Sequence, residues 1–149
     1  MTCHECHWDN PVNDPPGSLT VSGVPPTYTP GEAYTITVSV SHPLAKRTGF
    51  ELSARFEEQD NRAGMAGRLR ATDGRTRVVG EQSVSYIVQT EDGSRPAPAQ
   101  TSPWTFEWTA PTSAGTVVFH TAANAANGDA SPLGDYVYTA SATSTARQP

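Results

Sequence analysis

Five residues near the start of the chain carry its sharpest chemistry. Cys3-His4-Glu5-Cys6-His7 is a C-x-x-C-H tract. At this spacing two thiols can each add to a vinyl group of a porphyrin, and the residue that follows presents an imidazole to the iron. Cys3 and Cys6 are the only cysteines in the sequence, so neither has another bridging partner. The expectation is one covalent haem c per chain, tethered by Cys3 and Cys6, with His7 as proximal ligand. Other chemistries stay open. Cys3, His4, Cys6 and His7 are all zinc-ligand types, but neighbours such as Cys6 and His7 rarely hold the same ion. A C-x-x-C redox pair normally opens a helix beside a βαβ unit, and none is read here. The tract can also be incidental.

A sixth iron ligand must come from elsewhere. Outside the tract the choices are His42, His120 and Met65, with His4 available only in trans. His42 is the first choice, because it closes a predicted strand at a rim. His120 is the runner-up, inside a predicted strand and sharing parity with Val118 and Ala122. Met65, flanked by glycines at 64 and 67, reads as a loop residue.

The elements that must position these groups are read from composition and alternation. The 149 residues make one domain, large enough to bury a core without disulfides. Nineteen Thr and 12 Val against 5 Leu and a single Lys suit pleated sheets rather than helical bundles. Thirteen Pro and 12 Gly suit many turns. Residues 33–42 alternate, with Tyr34, Ile36, Val38 and Val40 on one face. Residues 50–56 repeat the pattern, and Trp104, Phe106 and Trp108 form an aromatic inner face. Further strands are expected at 18–22, 84–88, 116–122 and 136–144, with a hairpin over 68–80 turning at Asp73-Gly74. Seven to nine short strands predict an immunoglobulin-like β-sandwich over residues 18–146. Residues 1–17 form a tail, in which the Pro-rich stretch 9–17 is an extended linker.

Function classes fall away on charge and pattern. The net charge is −5 and the nine Arg are scattered, which gives no nucleic-acid footprint. No apolar run approaches the roughly 18–20 residues of a membrane span. No Ser/His/Asp order or phosphate loop emerges, and Glu57-Glu58 reads as a solvated strand end, so no catalytic residue is assigned. Residues 124–135 cluster Asn and Asp but lack EF-hand spacing; they read as turns rather than a calcium loop, with Gly128 and Gly134 at positive φ.

Residues 18–144 resemble the reeler-like domain of bacterial surface proteins sometimes called choice-of-anchor V proteins. GSLTVSGVPPTYTPG at 17–31, YTITVSV at 34–40, GFELSA at 49–54, WTFEWTAP at 104–111 and TVVFHTAANAANGDASPLGDYVY at 116–138 carry the resemblance. It implies an extracellular sandwich, with a C-x-x-C-H tract often placed before the first strand. Two departures stand out. Relatives usually end in an anchoring segment, whereas this sequence stops at Arg147-Gln148-Pro149. Relatives often carry a histidine where Gln89 stands here.

Together these readings predict an exported protein, present in its processed form, that carries electrons through a monohaem c site. A porphyrin on so short a tail needs cover, either from the sandwich or from a neighbouring subunit. The second route gives head-to-tail oligomers or a filament. The alternative is a secreted adhesion or matrix module without haem, its Cys/His tract idle or bound to another metal.

Overall fold

The computed structural model describes residues 5–57, 64–81 and 84–148. Ten strands follow in order: β1 Ser18–Ser22, β2 Thr27–Tyr28, β3 Ala33–Ser41, β4 Arg47–Phe56, β5 Arg68–Ala71, β6 Thr76–Glu81, β7 Val84–Gln89, β8 Thr101–Thr109, β9 Thr116–Ala126 and β10 Tyr136–Ala146. They form a four-stranded sheet, β1-β3-β8-β5, and a six-stranded sheet, β2-β10-β9-β4-β7-β6. Pairing is antiparallel except where β2 meets β10. The all-β sandwich expected from the sequence is therefore the observed architecture.

Alternation explains the core. Ile36, Val38 and Val40 of β3 and Trp104, Phe106 and Trp108 of β8 are fully buried between the sheets. Phe50 and Leu52 of β4 and Val117 and Phe119 of β9 meet them from the other side. Trp108 is the hub: its ring packs edge-on against Tyr28 at 5.5 Å and Phe119 at 4.8 Å. Such aromatic pairs add about 0.5–1.5 kcal/mol beyond area burial. Both buried indoles find acceptors, Trp104 Nε1–H on the Gly93 carbonyl (2.9 Å) and Trp108 Nε1–H on that of Ala66 (2.8 Å). Losing either acceptor would leave a buried donor unpaired.

The hairpin expected over 68–80 is not formed. β5 pairs with β8 in one sheet and β6 with β7 in the other, so Asp73-Gly74 carries the chain across the sandwich. Leu69 decides the first partner: it is buried opposite Trp108. Asp73 Oδ1 then accepts the Arg75 N–H at 2.8 Å, and Thr90 Oγ1 donates to the Gly74 carbonyl at 2.6 Å. A turn signal marks a reversal, not which sheet the chain enters next. β8 also begins at Thr101, three residues before the aromatic run of Trp104, Phe106 and Trp108 that marks it in the sequence. Pro103 is tolerated there because β5 reaches β8 only from Phe106 onward, so the missing N–H faces an open edge.

The tail is no free linker. Asn13 donates its N–H to the Val137 carbonyl at 2.9 Å, and its Oδ1 accepts the Thr139 N–H at 2.9 Å. It thus covers the stretch of β10 edge that β2 leaves unpaired, as edge strands require. Tyr138 donates its hydroxyl to the Asp14 carbonyl at 2.8 Å. Gly17 must be glycine here, because a Cβ would lie 2.1 Å from that hydroxyl.

Candidate functional site

The tail brings His7 onto the outer face of the six-stranded sheet. Ala123 and Ala125 of β9 point into the core, so Asn124 between them points out, and Asn124 reaches both His7 and Asp135. The central contact is His7 Nδ1 to Asp135 Oδ2 at 2.6 Å. Asp135 is 1% exposed, and its other oxygen accepts the Asn127 N–H at 3.0 Å. Two further bonds clamp the tail to the same loop: Gly134 N–H to Asp9 Oδ2 at 3.1 Å and Asn10 Nδ2 to the Asp135 carbonyl at 2.9 Å. A cavity of about 540 Å³ adjoins the pair, walled by His7, Arg47, Ala126, Ser131 and Asp135.

The loop leading to Asp135 is built from turns in series. Asn127 Oδ1 accepts the Asp129 N–H, Asp129 Oδ1 the Ser131 N–H, and Ser131 Oγ the Leu133 N–H, at 3.1, 2.8 and 3.1 Å. Gly128 and Gly134 take positive φ, as the turn reading expects. Among the described residues no three His, Cys, Asp or Glu side chains converge as a metal cluster.

A haem c needs two thiols and an imidazole with a nitrogen left for iron. Cys6 is exposed; Cys3 and His4 lie outside the described residues. His7 Nδ1 faces Asp135 Oδ2, so Nε2 is the ring nitrogen not engaged by that carboxylate. The described part of the tract thus supplies one of the two thiols, Cys6, and the imidazole of His7.

The two proposed sixth ligands lie differently. His42 follows β3 at 2% exposure, and its ring stacks on Tyr136 at 4.0 Å between centroids. Its Nδ1 accepts the Leu44 N–H at 3.1 Å, while the buried Nε2 has no partner. Burial pulls its pKa below the usual histidine value, and Asp14 partly offsets that. Tyr136 packs against the core, so His42 lies inside β10 whereas His7 lies outside it. The fold does not bring these two histidines together. His120 shares the outer face with Asn124, four residues away along β9, or roughly 14 Å at about 3.4 Å per residue. It is exposed. Met65 bridges to Arg55 of β4 and accepts the Ser85 hydroxyl of β7 on its sulfur at 3.3 Å.

His120 also lines a shallow groove of about 900 Å³ on this face, shared with Glu51, Ser53, Arg55, Tyr86 and Ser141. Arg55 donates to the Tyr86 hydroxyl at 2.8 Å, which holds a cation and an aromatic ring side by side on its floor. Glu57 is exposed at the end of β4; Glu58 lies outside the described residues. Gln89, where a histidine was expected from the resemblance, accepts the Phe50 N–H on Oε1 at 2.8 Å. It thereby extends the short pairing between β4 and β7.

No family model matches the chain, and no curated protein matches it. Solved structures do. The human F-spondin reeler domain is similar at a TM-score of 0.61 and 22% identity, covering 88% of each chain. A second fragment of that domain gives 0.60 and 21%, covering 88% of this chain and 92% of that one. The fold is that of the reeler domain. A cohesin module from a Clostridium perfringens family 33 glycoside hydrolase is similar at 0.58 and 13% identity, covering 89% and 98%. At these identities the likeness speaks for the fold alone.

Asp135 and Asn124 are the residues that sequence reading missed as site groups. Asp135 stands 128 positions after His7 in a segment read as turns, and no local pattern marks it as the partner of the tract.

Proposed function

We propose that this protein is an extracellular, non-enzymatic β-sandwich module that binds a surface or matrix partner through the outer face of its six-stranded sheet. The observation that carries this reading is the groove of about 900 Å³, in which both charges, hydroxyls and Tyr86 are presented together. A mixed lining of this kind suits a polar ligand held by hydrogen bonds and ring contact. Reeler and cohesin likenesses support the choice of a module over an enzyme, and no described helix is long and apolar enough to cross a membrane. Co-sedimentation with purified envelope and matrix fractions of the source cells tests it. Binding should weaken at least about tenfold when Arg55 and His120 are both replaced by alanine, about 1.4 kcal/mol. Equal binding by that variant, or a protein confined to the cytoplasm on fractionation, overturns the reading.

A second reading rests on the His7–Asp135 contact. In it the tail carries haem c on Cys3, Cys6 and His7, and the protein moves electrons. The haem supplies reversible one-electron chemistry when bound. The chain's own part is to tether it, to present Nε2 of His7, and to cover it with the loop before β10. His120, on the same face, is then favoured over His42 as the second ligand. An open porphyrin face would also favour head-to-tail self-association. The natively exported protein should be red, with haem that resists acid–acetone extraction and a pyridine haemochrome of c type. A colourless protein sinks this reading and leaves the first intact.

A further inference from the structure

We propose that Asp135 is a positioning residue for His7, fixing which ring nitrogen is free and how much electron density it carries. This inference rests on the haem reading and deepens it. Three observations support it. The 2.6 Å contact is short for an N–H···O bond, as expected when a carboxylate accepts. Asp135 is 1% exposed, so its charge is little screened by water. Its second oxygen is held by the Asn127 N–H, so the carboxylate cannot swing away from the imidazole without breaking a loop contact.

The chemistry follows from the tautomer. With the proton on Nδ1, the lone pair of the ring lies on Nε2, the nitrogen a metal can use. A carboxylate partner draws that proton and makes the imidazole a stronger donor, which stabilises the higher oxidation state of a bound iron. The orientation matters equally. Asp9, Asn10 and Asn13 pin the backbone that follows His7 to the loop and to β10, so the ring is held from both sides.

A merely structural role for Asp135 makes a different prediction. The Oδ1 contact with Asn127 would be its whole purpose, and any acceptor would serve. Asp135→Asn separates the two, because an amide can still accept the Asn127 N–H while the charge beside His7 is gone.

The test uses the full chain, exported in cells that attach haem covalently. Haem content comes first, by pyridine haemochrome; redox titration and thermal unfolding of wild type and Asp135→Asn follow. At a fixed potential the ferric-to-ferrous ratio should fall about tenfold in the variant, equivalent to a rise of about 59 mV for one electron. Equal midpoint potentials in two haem-bearing, folded proteins overturn the positioning role while leaving the haem reading standing. A wild type without haem overturns both. Should the variant fail to fold, the reduced wild type labelled with ¹⁵N-histidine decides. A proton on His7 Nδ1 that exchanges slowly because Asp135 holds it is expected, and exchange as fast as in a free imidazole overturns the proposal.

Discussion

Two histidines flank β10 at neighbouring positions and meet opposite surroundings. His7 lies outside, beside Asp135, with a carboxylate on one nitrogen and part of its ring in solvent. His42 lies inside, beside Tyr136, with an aromatic ring on its face and a buried Nε2 that has no partner. One residue of strand alternation separates the two environments. The outer one holds an imidazole oriented by a buried carboxylate. The inner one is a packing residue whose charged form is penalised. The same side chain thus has two different capacities, set by which face of one strand it touches.

Substitutions can break that contrast in graded steps. Tyr136→Ala should have the largest effect, costing about 2–4 kcal/mol, because it removes a half-buried ring and opens a void beside His42. Chemical denaturation would read it as a lower midpoint with an unchanged slope. Asp135→Ala comes next, at about 1–3 kcal/mol, since it leaves the Asn127 N–H without its acceptor and removes the tail's contact at His7. Limited proteolysis should then cut within residues 5–16 faster than in wild type.

His42→Phe sharpens the comparison through pH. Burial lowers the native pKa of His42, so the unfolded chain takes up its proton first as the solution is acidified. Stability held above about pH 6.5, the unfolded histidine value, is therefore lost as pH falls towards the lower native pKa. Melting temperatures between pH 7.5 and 5 should fall less steeply in His42→Phe than in wild type. Parallel slopes would mean that other groups dominate. The smallest effect belongs to His7→Ala. Its ring is partly solvated, so the loss should stay below about 1 kcal/mol by thermal melt. Were it to match Asp135→Ala, the tail would depend on the imidazole itself.

Much of this architecture is legible along the chain. β1 falls at 18–22 as read, and the alternating runs at 33–42 and 50–56 become β3 and the core of β4. The inner faces carry the expected aromatics and β-branched residues, because burial on one face imposes period two. Other parts were not legible. β9 runs four residues past its predicted end, since Ala123 and Ala125 are as buried as Phe119 but too small to register as a hydrophobic run. The two-residue β2 was hidden among turns, because its place depends on β10, more than a hundred residues later.

The haem expectation for the tract 3–7 was read from residue type and spacing alone, since thiol attachment to a porphyrin would depend only on local geometry. Strand positions and the sandwich class are likewise local, because side-chain alternation and turn residues act over a few bonds. Tertiary structure decided the rest. It took the tail from linker to edge cover, moved β5 and β6 into different sheets, and put His42 and His7 on opposite sides of one strand. It also supplied the carboxylate beside the imidazole from the far end of the chain. Each depends on long-range packing: which edge lies open, which large side chain needs a partner, and where a buried charge can be paired.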